Sequence, residues 1–152
     1  MTLHTAIVNA EEDKISLDKA KEFITSKKNG AESIFVGRVR NDNSGKKVTA
    51  VTYDVHDQGV IKSFQSICND AKIKFDKNSQ IFLEHAKGYV PVGEVSILIA
   101  VGSGHRDEAF KICRYVLEEI KHQSPIWKKE HYVEGKEEWL PGHSLRPKED
   151  IK

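Results

Sequence analysis

The sequence is poor in cysteine: Cys68 and Cys113 are the only two, far apart and outside any CxxC spacing, so neither a zinc site nor a redox pair is indicated. Both fall on the apolar faces of predicted helices, where a buried, reduced thiol is expected. Long apolar runs are missing too. No stretch approaches the roughly 20 residues needed to span a bilayer, and Met1-Thr2-Leu3-His4 begins no signal peptide, so a cytoplasmic protein without a membrane partner is expected. Excess charge of either sign is also absent. With 24 Lys and Arg against 23 Asp and Glu, the formal net charge is +1, which offers no global field to a nucleic acid backbone. His4, His56, His85, His105, His122, His131 and His143 form no i, i+4 pair and have no cysteine nearby, so no metal is assigned and no cofactor is called for.

What is present suits one globular domain. The 152 residues are 38% hydrophobic and 31% charged, and a chain of that length buries roughly two-thirds of its unfolded surface without disulfides. There is no internal repeat and no linker. A single domain over 1–140 is expected, followed by a tail over 141–152 that holds two prolines, many charges and little to bury, and is expected to be mobile.

Apolar spacing predicts the elements. A short strand at 5–8 precedes a helix that starts at Ser16, runs to about Lys28 and stops at Gly30. Strands follow at 31–39 and 48–56, separated by the polar loop Asn41-Asp42-Asn43-Ser44-Gly45. In the second of them Val51, Tyr53 and Val55 form the apolar side. A helix over 58–75 leads to strands at 80–89 and 94–101, joined by the turn Val90-Pro91-Val92-Gly93. The second is almost continuously apolar and belongs in the middle of its sheet. A third helix over 106–122 and a terminal hairpin from Ile126 to Leu140 complete an α+β arrangement of helices on a mostly antiparallel sheet.

Cations gather at both ends of that third helix. Before it, Gly102-Ser103-Gly104-His105-Arg106 carries a strand directly into a helix N-terminus, where free backbone N–H groups and a positive dipole end favour an anion. A dinucleotide fingerprint fails because Asp107 replaces the third glycine, and no Walker lysine is present. After it come Lys121 and Lys128-Lys129-Glu130, around Gln123-Ser124-Pro125-Ile126-Trp127. A lysine near a helix C-terminus often only complements the dipole. One shielded by proline and tryptophan, however, loses pKa and becomes usable as a nucleophile or proton carrier.

Three blocks in fixed order, Phe35-Val36-Gly37-Arg38-Val39-Arg40-Asn41, Gly104-His105-Arg106-Asp107-Glu108-Ala109-Phe110 and Lys121-His122-Gln123-Ser124-Pro125-Ile126-Trp127-Lys128-Lys129-Glu130, closely resemble the catalytic subunit of molybdopterin synthase. The resemblance spans about Ala31 to Trp139 and includes Tyr89-Val90-Pro91-Val92-Gly93-Glu94. It implies an α/β hammerhead fold with an additional antiparallel β-sheet. It also implies a sulfurtransferase of molybdenum cofactor biosynthesis, converting cyclic pyranopterin monophosphate into molybdopterin. The implied partners are a small sulfur-carrier subunit with a C-terminal Gly-Gly thiocarboxylate, and a second copy of this chain at the centre of a heterotetramer. By motif match Arg40, His105, Arg106, Lys121 and Lys128 fall on functional positions, with Arg38, Val39, Lys129 and Glu130 contributing to the same pocket. Lys121 and Lys128 are the catalytic candidates; Arg40, His105 and Arg106 suit the substrate phosphate.

Arg106 and Lys121 lie fifteen positions apart on one predicted helix, roughly 22 Å at 1.5 Å per residue, too far to share a small substrate. Each site is therefore expected to take His105 and Arg106 from one subunit and Lys121 and Lys128 from the other. The family often carries an arginine just beyond the tryptophan matched by Trp139. Here Leu140-Pro141-Gly142-His143-Ser144 follows, leaving His143 or Arg146 as substitutes. A noncatalytic phosphate-ligand module would explain the cations equally well but gives the shielded lysine no task. An RNA-binding role is disfavoured by the balanced charge and the lack of an aromatic sheet pattern.

Overall fold

The computed structural model describes residues 2–140, so the tail, with His143 and Arg146, lies outside the described residues. Strand β1 (Leu3–Asn9) is followed by α1 (Leu17–Ile24), β2 (Ala31–Arg38), the two-residue β3 (Asp42–Asn43) and β4 (Lys46–Val55). Then come α2 (Asp57–Lys74), β5 (Gln80–Pro91), β6 (Val95–Ser103), α3 (Arg106–Gln123), β7 (Ile126–Tyr132) and β8 (Glu137–Trp139). The α+β reading holds, and the sheet is antiparallel apart from one pair: β1 runs parallel to β5.

Strand β5 belongs to two halves of the sheet. Its first part pairs with β6 and β1, and its last residues, 88–91, pair with β4, which continues to β7 and β8. Gly88 sits at the change of partner with φ of +86°, a conformation a side chain would make costly. As its apolar run predicts, β6 is central, between β2 and β5, and all but its first residue are buried. Helices α2 and α3 cover one face around Phe64, Ile67, Ile112, Val116 and Ile120. On the other, α1 packs Ala20 and Ile24 against Phe82, Leu98 and Ala100. Both thiols are buried, and burial pushes Cys68 up to about 12 and raises Cys113. No described helix is long and apolar enough to cross a membrane.

Three local expectations change. Helix α1 stops at Ile24, its last buried residue, because Thr25 Oγ1 donates back to the Lys21 carbonyl and Asn29 Nδ2 donates to the Ile24 carbonyl. Side chains that offer the backbone such partners compete with further helix. In β4 a register shift between Val48 and Ala50 reverses the alternation, so Val48 and Ala50 are buried along with Val51 and Tyr53 while Thr49 is exposed. Finally, the polar loop after β2 is a tight hairpin: Ser44 and Gly45 have φ of 52° and 83° between Asn43 and Lys46, the two-residue turn whose twist suits paired strands.

Candidate active site

One end of α3 is assembled by three neighbouring pieces of chain. Ser124 closes the helix with its N–H on the Ile120 carbonyl, and its hydroxyl lies 2.9 Å from that of Ser63 on α2. The His56 N–H reaches the Pro125 carbonyl, so the corner between α3 and β7 is pinned on both sides. Strand β7 then alternates. Ile126 and Glu130 are buried, and Lys128 stands between them on the core-facing side, opposite Tyr53 of β4. The third piece is the chain leaving β2. Pro91 to Glu94 form a turn with Gly93 at φ of +89° in its third position, where only a residue without a side chain is comfortable. The Gly93 N–H donates to the Val39 carbonyl at 2.7 Å, the Val39 N–H to the Glu94 carbonyl at 3.1 Å, and Arg38 Nη1 to the Gly93 carbonyl at 2.8 Å. Val39 is thereby buried and Arg40 is carried over to the lysines.

Electrostatics marks Lys128 as unusual. Burial lowers its pKa from the usual lysine value, and the charges of Arg40 and Lys121 lower it further, against the opposing pull of Glu130. Among the described residues, none of Arg40, Lys121 and Lys128 has a salt-bridge partner. Glu130 is committed elsewhere: both its oxygens accept from Asn43 Nδ2, at 2.9 and 3.0 Å, and Oε1 also accepts from the Tyr132 hydroxyl at 3.0 Å. Burial and that bonded carboxylate push the Tyr132 phenol up to about 12, keeping it a donor. Neither Asn43 nor Tyr132 stands out in the sequence. The Ser44-Gly45 pair was the available signal, since a two-residue hairpin swings Asn43 towards β7.

The structure does not bring all the candidates together. Lys129 is on the opposite face of β7 from Lys128, 3.3 Å from Glu137 and 5.2 Å from the centre of the Trp139 ring. Arg38 is tied to the Gly93 carbonyl. His105 and Arg106 are exposed at the far end of α3, where an open cavity of about 650 Å³ is lined by Lys28, Asn29, Asn78, Gln80 and His105, among others.

The glycine turn at that end already holds an anion, supplied by the chain itself. The Asp76 carboxylate accepts from the Ser103 hydroxyl and from the Asn78 and Gly104 backbone N–H groups. Burial opposes its charge, but these hydrogen bonds and the Lys72 cation outweigh that and hold its pKa below the ordinary carboxylate value. Among the described residues no group of three or more His, Cys, Asp or Glu is placed to hold a metal.

A sheet-backed cluster of cations with one desolvated lysine can grip an anion and exchange a proton beside it, and proteins of known identity share the fold that builds it. The molybdopterin synthase catalytic subunit of Synechococcus elongatus is 43% identical over 131 residues, covering 86% of this chain and 79% of that protein. A crystal structure of molybdopterin synthase from Staphylococcus aureus superposes with a TM-score of 0.82 at 28% identity, over 90% of this chain and 96% of that one. A chain from a complex of subunits 1 and 2 of molybdopterin-converting factor from Helicobacter pylori shares the fold, with a TM-score of 0.73 at 23% identity, over 97% of this chain and 96% of that one. The sequence model of the MoaE protein family matches residues 10–123, three quarters of the chain, and the chain belongs to that family.

Proposed function

We propose that this chain is the catalytic subunit of a molybdopterin synthase. In this reading it works in the cytoplasm and moves two sulfurs from the thiocarboxylated C-terminus of a small carrier subunit onto cyclic pyranopterin monophosphate. The observation that carries the proposal is the placement of Lys128, withdrawn from water between Ile126 and Glu130 on β7, beside Arg40 and Lys121. In each transfer the thiocarboxylate sulfur bonds to a side-chain carbon of the pterin, the displaced oxygen leaves that carbon, and water cleaves the acyl–sulfur bond to leave the carrier with a carboxylate, so protons must both leave and arrive. An amine that titrates closer to neutral serves both directions. Lys128 is assigned that work. Lys121, half-buried in the last turn of α3, is assigned the anionic thiocarboxylate tail, and Arg40 the substrate phosphate.

Arg40 joins the lysine end of α3 within one chain, whereas His105 and Arg106 lie at the other end of an 18-residue helix. In our reading a second copy of this chain supplies His105 and Arg106 to complete the phosphate grip, which gives the enzyme a central dimer with two shared sites. Incubating the chain with cyclic pyranopterin monophosphate and a thiocarboxylated carrier should yield molybdopterin. Binding of the pterin without product, with a donor competent towards another synthase, would favour a noncatalytic phosphate-ligand module instead.

A further inference from the structure

His85 lies in β5 with no exposed surface at all. Its Nδ1 is 2.7 Å from the Ala86 carbonyl oxygen. A carbonyl can only accept, so Nδ1 carries the ring proton and Nε2 is left as a bare lone pair. That nitrogen is the one buried side-chain polar atom among the described residues with no hydrogen-bond partner. Buried polar groups are rarely left so, and an unmet one calls for a partner that reaches it by side-chain motion.

The surroundings identify the partner. Across β5, Ile97 of β6 and Ile7 of β1 stand directly opposite His85 and offer no polar group. From β4 comes Tyr53, whose ring meets the imidazole edge-on with centroids 5.0 Å apart and planes at 82°. Tyr53 is in turn the cross-strand neighbour of Lys128 on β7. Lys128 is the side chain whose charge is felt at His85. Beyond it are Glu130, Arg40 and Lys121, the groups that act on Lys128 itself.

We propose that His85 is a positioning residue for Lys128, its uncommitted Nε2 lone pair being the acceptor that the lysine ammonium takes up when its side chain turns inward, in the resting chain as well as in the reaction. The inference rests on the role given to Lys128 above. Burial, together with the nearby Lys128 charge, drives the imidazole pKa down to about 4, against the pull of the Ala86 carbonyl, so near neutral pH the ring stays unprotonated and the lone pair stays available. A neutral acceptor at this place steadies the protonated lysine without adding a charge that would cancel the cations needed by the substrate. It would counter the burial and like-charge repulsion that otherwise strip the proton from Lys128.

Two measurements on the isolated chain test this without any turnover, so their failure is separate from failure of the sulfurtransferase reading. The 15N resonance of His85 Nε2 should differ between the unsubstituted chain and Lys128→Met, which lacks the donor; an unchanged resonance overturns the proposal. In His85→Leu, Lys128 should titrate about one pH unit lower, a tenfold change in its protonation equilibrium. His85→Gln, which keeps an acceptor near the same place, should return most of that shift. In the synthase assay His85→Leu should lower kcat about tenfold with KM for the pterin nearly unchanged, as expected for a group acting through the lysine during the reaction. Equal Lys128 titration in His85→Leu and the unsubstituted protein, or no rescue by Gln, assigns His85 to packing alone.

Discussion

The two ends of α3 carry similar numbers of cations and treat them in opposite ways. At the N-terminal end the helix dipole and the Gly102-Ser103-Gly104 turn would attract an anion, but Asp76 of the same chain fills the turn and leaves His105 and Arg106 pointing outward. At the C-terminal end, among the described residues, no carboxylate is paired with Arg40, Lys121 or Lys128, and the buried acid Glu130 is held by Asn43 and Tyr132. At the first end the turn is answered within the chain and the cations stand in solvent, whereas at the second the cations repel one another beside a partly buried lysine, a repulsion that a bound anion would relieve. A basic cluster in a sequence therefore says little until the acids that answer it are located.

The sharpest way to break this contrast is at Lys128. Lys128→Ala is expected to lower kcat by about 10² to 10⁴, the range for losing a positioned proton-transfer group, measured as molybdopterin formed per minute at saturating carrier. Because its folded pKa is lowered, the amine gains its neutral form at a lower pH than a free lysine, so any step using it as a base should rise with pH earlier than a solvent-exposed lysine allows. A loss of less than about threefold in Lys128→Ala would remove the distinction between the two ends.

Next in size is the pairing of the ends between subunits. Arg106→Ala and Lys121→Ala should each cripple a homodimer. A verified mixed dimer contains one doubly altered and one intact site, so it should recover about half the normal activity, as twofold symmetry requires. No recovery in such dimers would mean that the sites are not shared.

Asp76 offers a smaller effect. Asp76→Ala removes the acceptor for Ser103 and Gly104 at the entrance to α3, and the expected loss is about 1 kcal/mol in urea unfolding, comparable to removal of a helix cap. The folded pKa is depressed, so this contribution is present above the ordinary carboxylate value of 3.8 and disappears as pH falls through the lower folded value. In the same variant the emptied turn should bind sulfate that the unsubstituted chain does not. If it does not, the glycine turn is merely a connection.

The sequence made the α+β class, the central β6 and the buried thiols legible because each follows from periodicity or from apolar continuity. It also located both cationic clusters. What it missed depends on contacts between distant segments. The shift at Thr49 in β4 turns Val48 and Ala50 inward while Val51 and Tyr53 stay buried, and no local pattern announces it. Asn43 gains meaning only because the hairpin brings it to Glu130, 87 positions away. Asp76 reads as a surface acid until β6 and α3 place Ser103 and Gly104 against it. His85 reads as one histidine among seven, and it becomes distinctive only when burial leaves one nitrogen unmatched.

The finest division lies within two adjacent residues. Lys128 and Lys129 are chemically identical and were both drawn towards one pocket by their motif, yet a strand sends successive side chains to opposite faces. Lys129 ends beside Glu137 and Trp139, while Lys128 faces the core. Lys129→Ala is thus expected to cost about 0.5 kcal/mol of stability, typical of an exposed ion pair with some cation–π contact. Its kcat should stay within about twofold of normal, because it removes no group acting on the transition state. A loss in Lys129→Ala as large as that in Lys128→Ala would show that β7 turns in the working enzyme, or that a second chain brings its substrate to the outer face. The small value would confine the chemistry to the inner face, where Lys128 stands between Ile126 and Glu130.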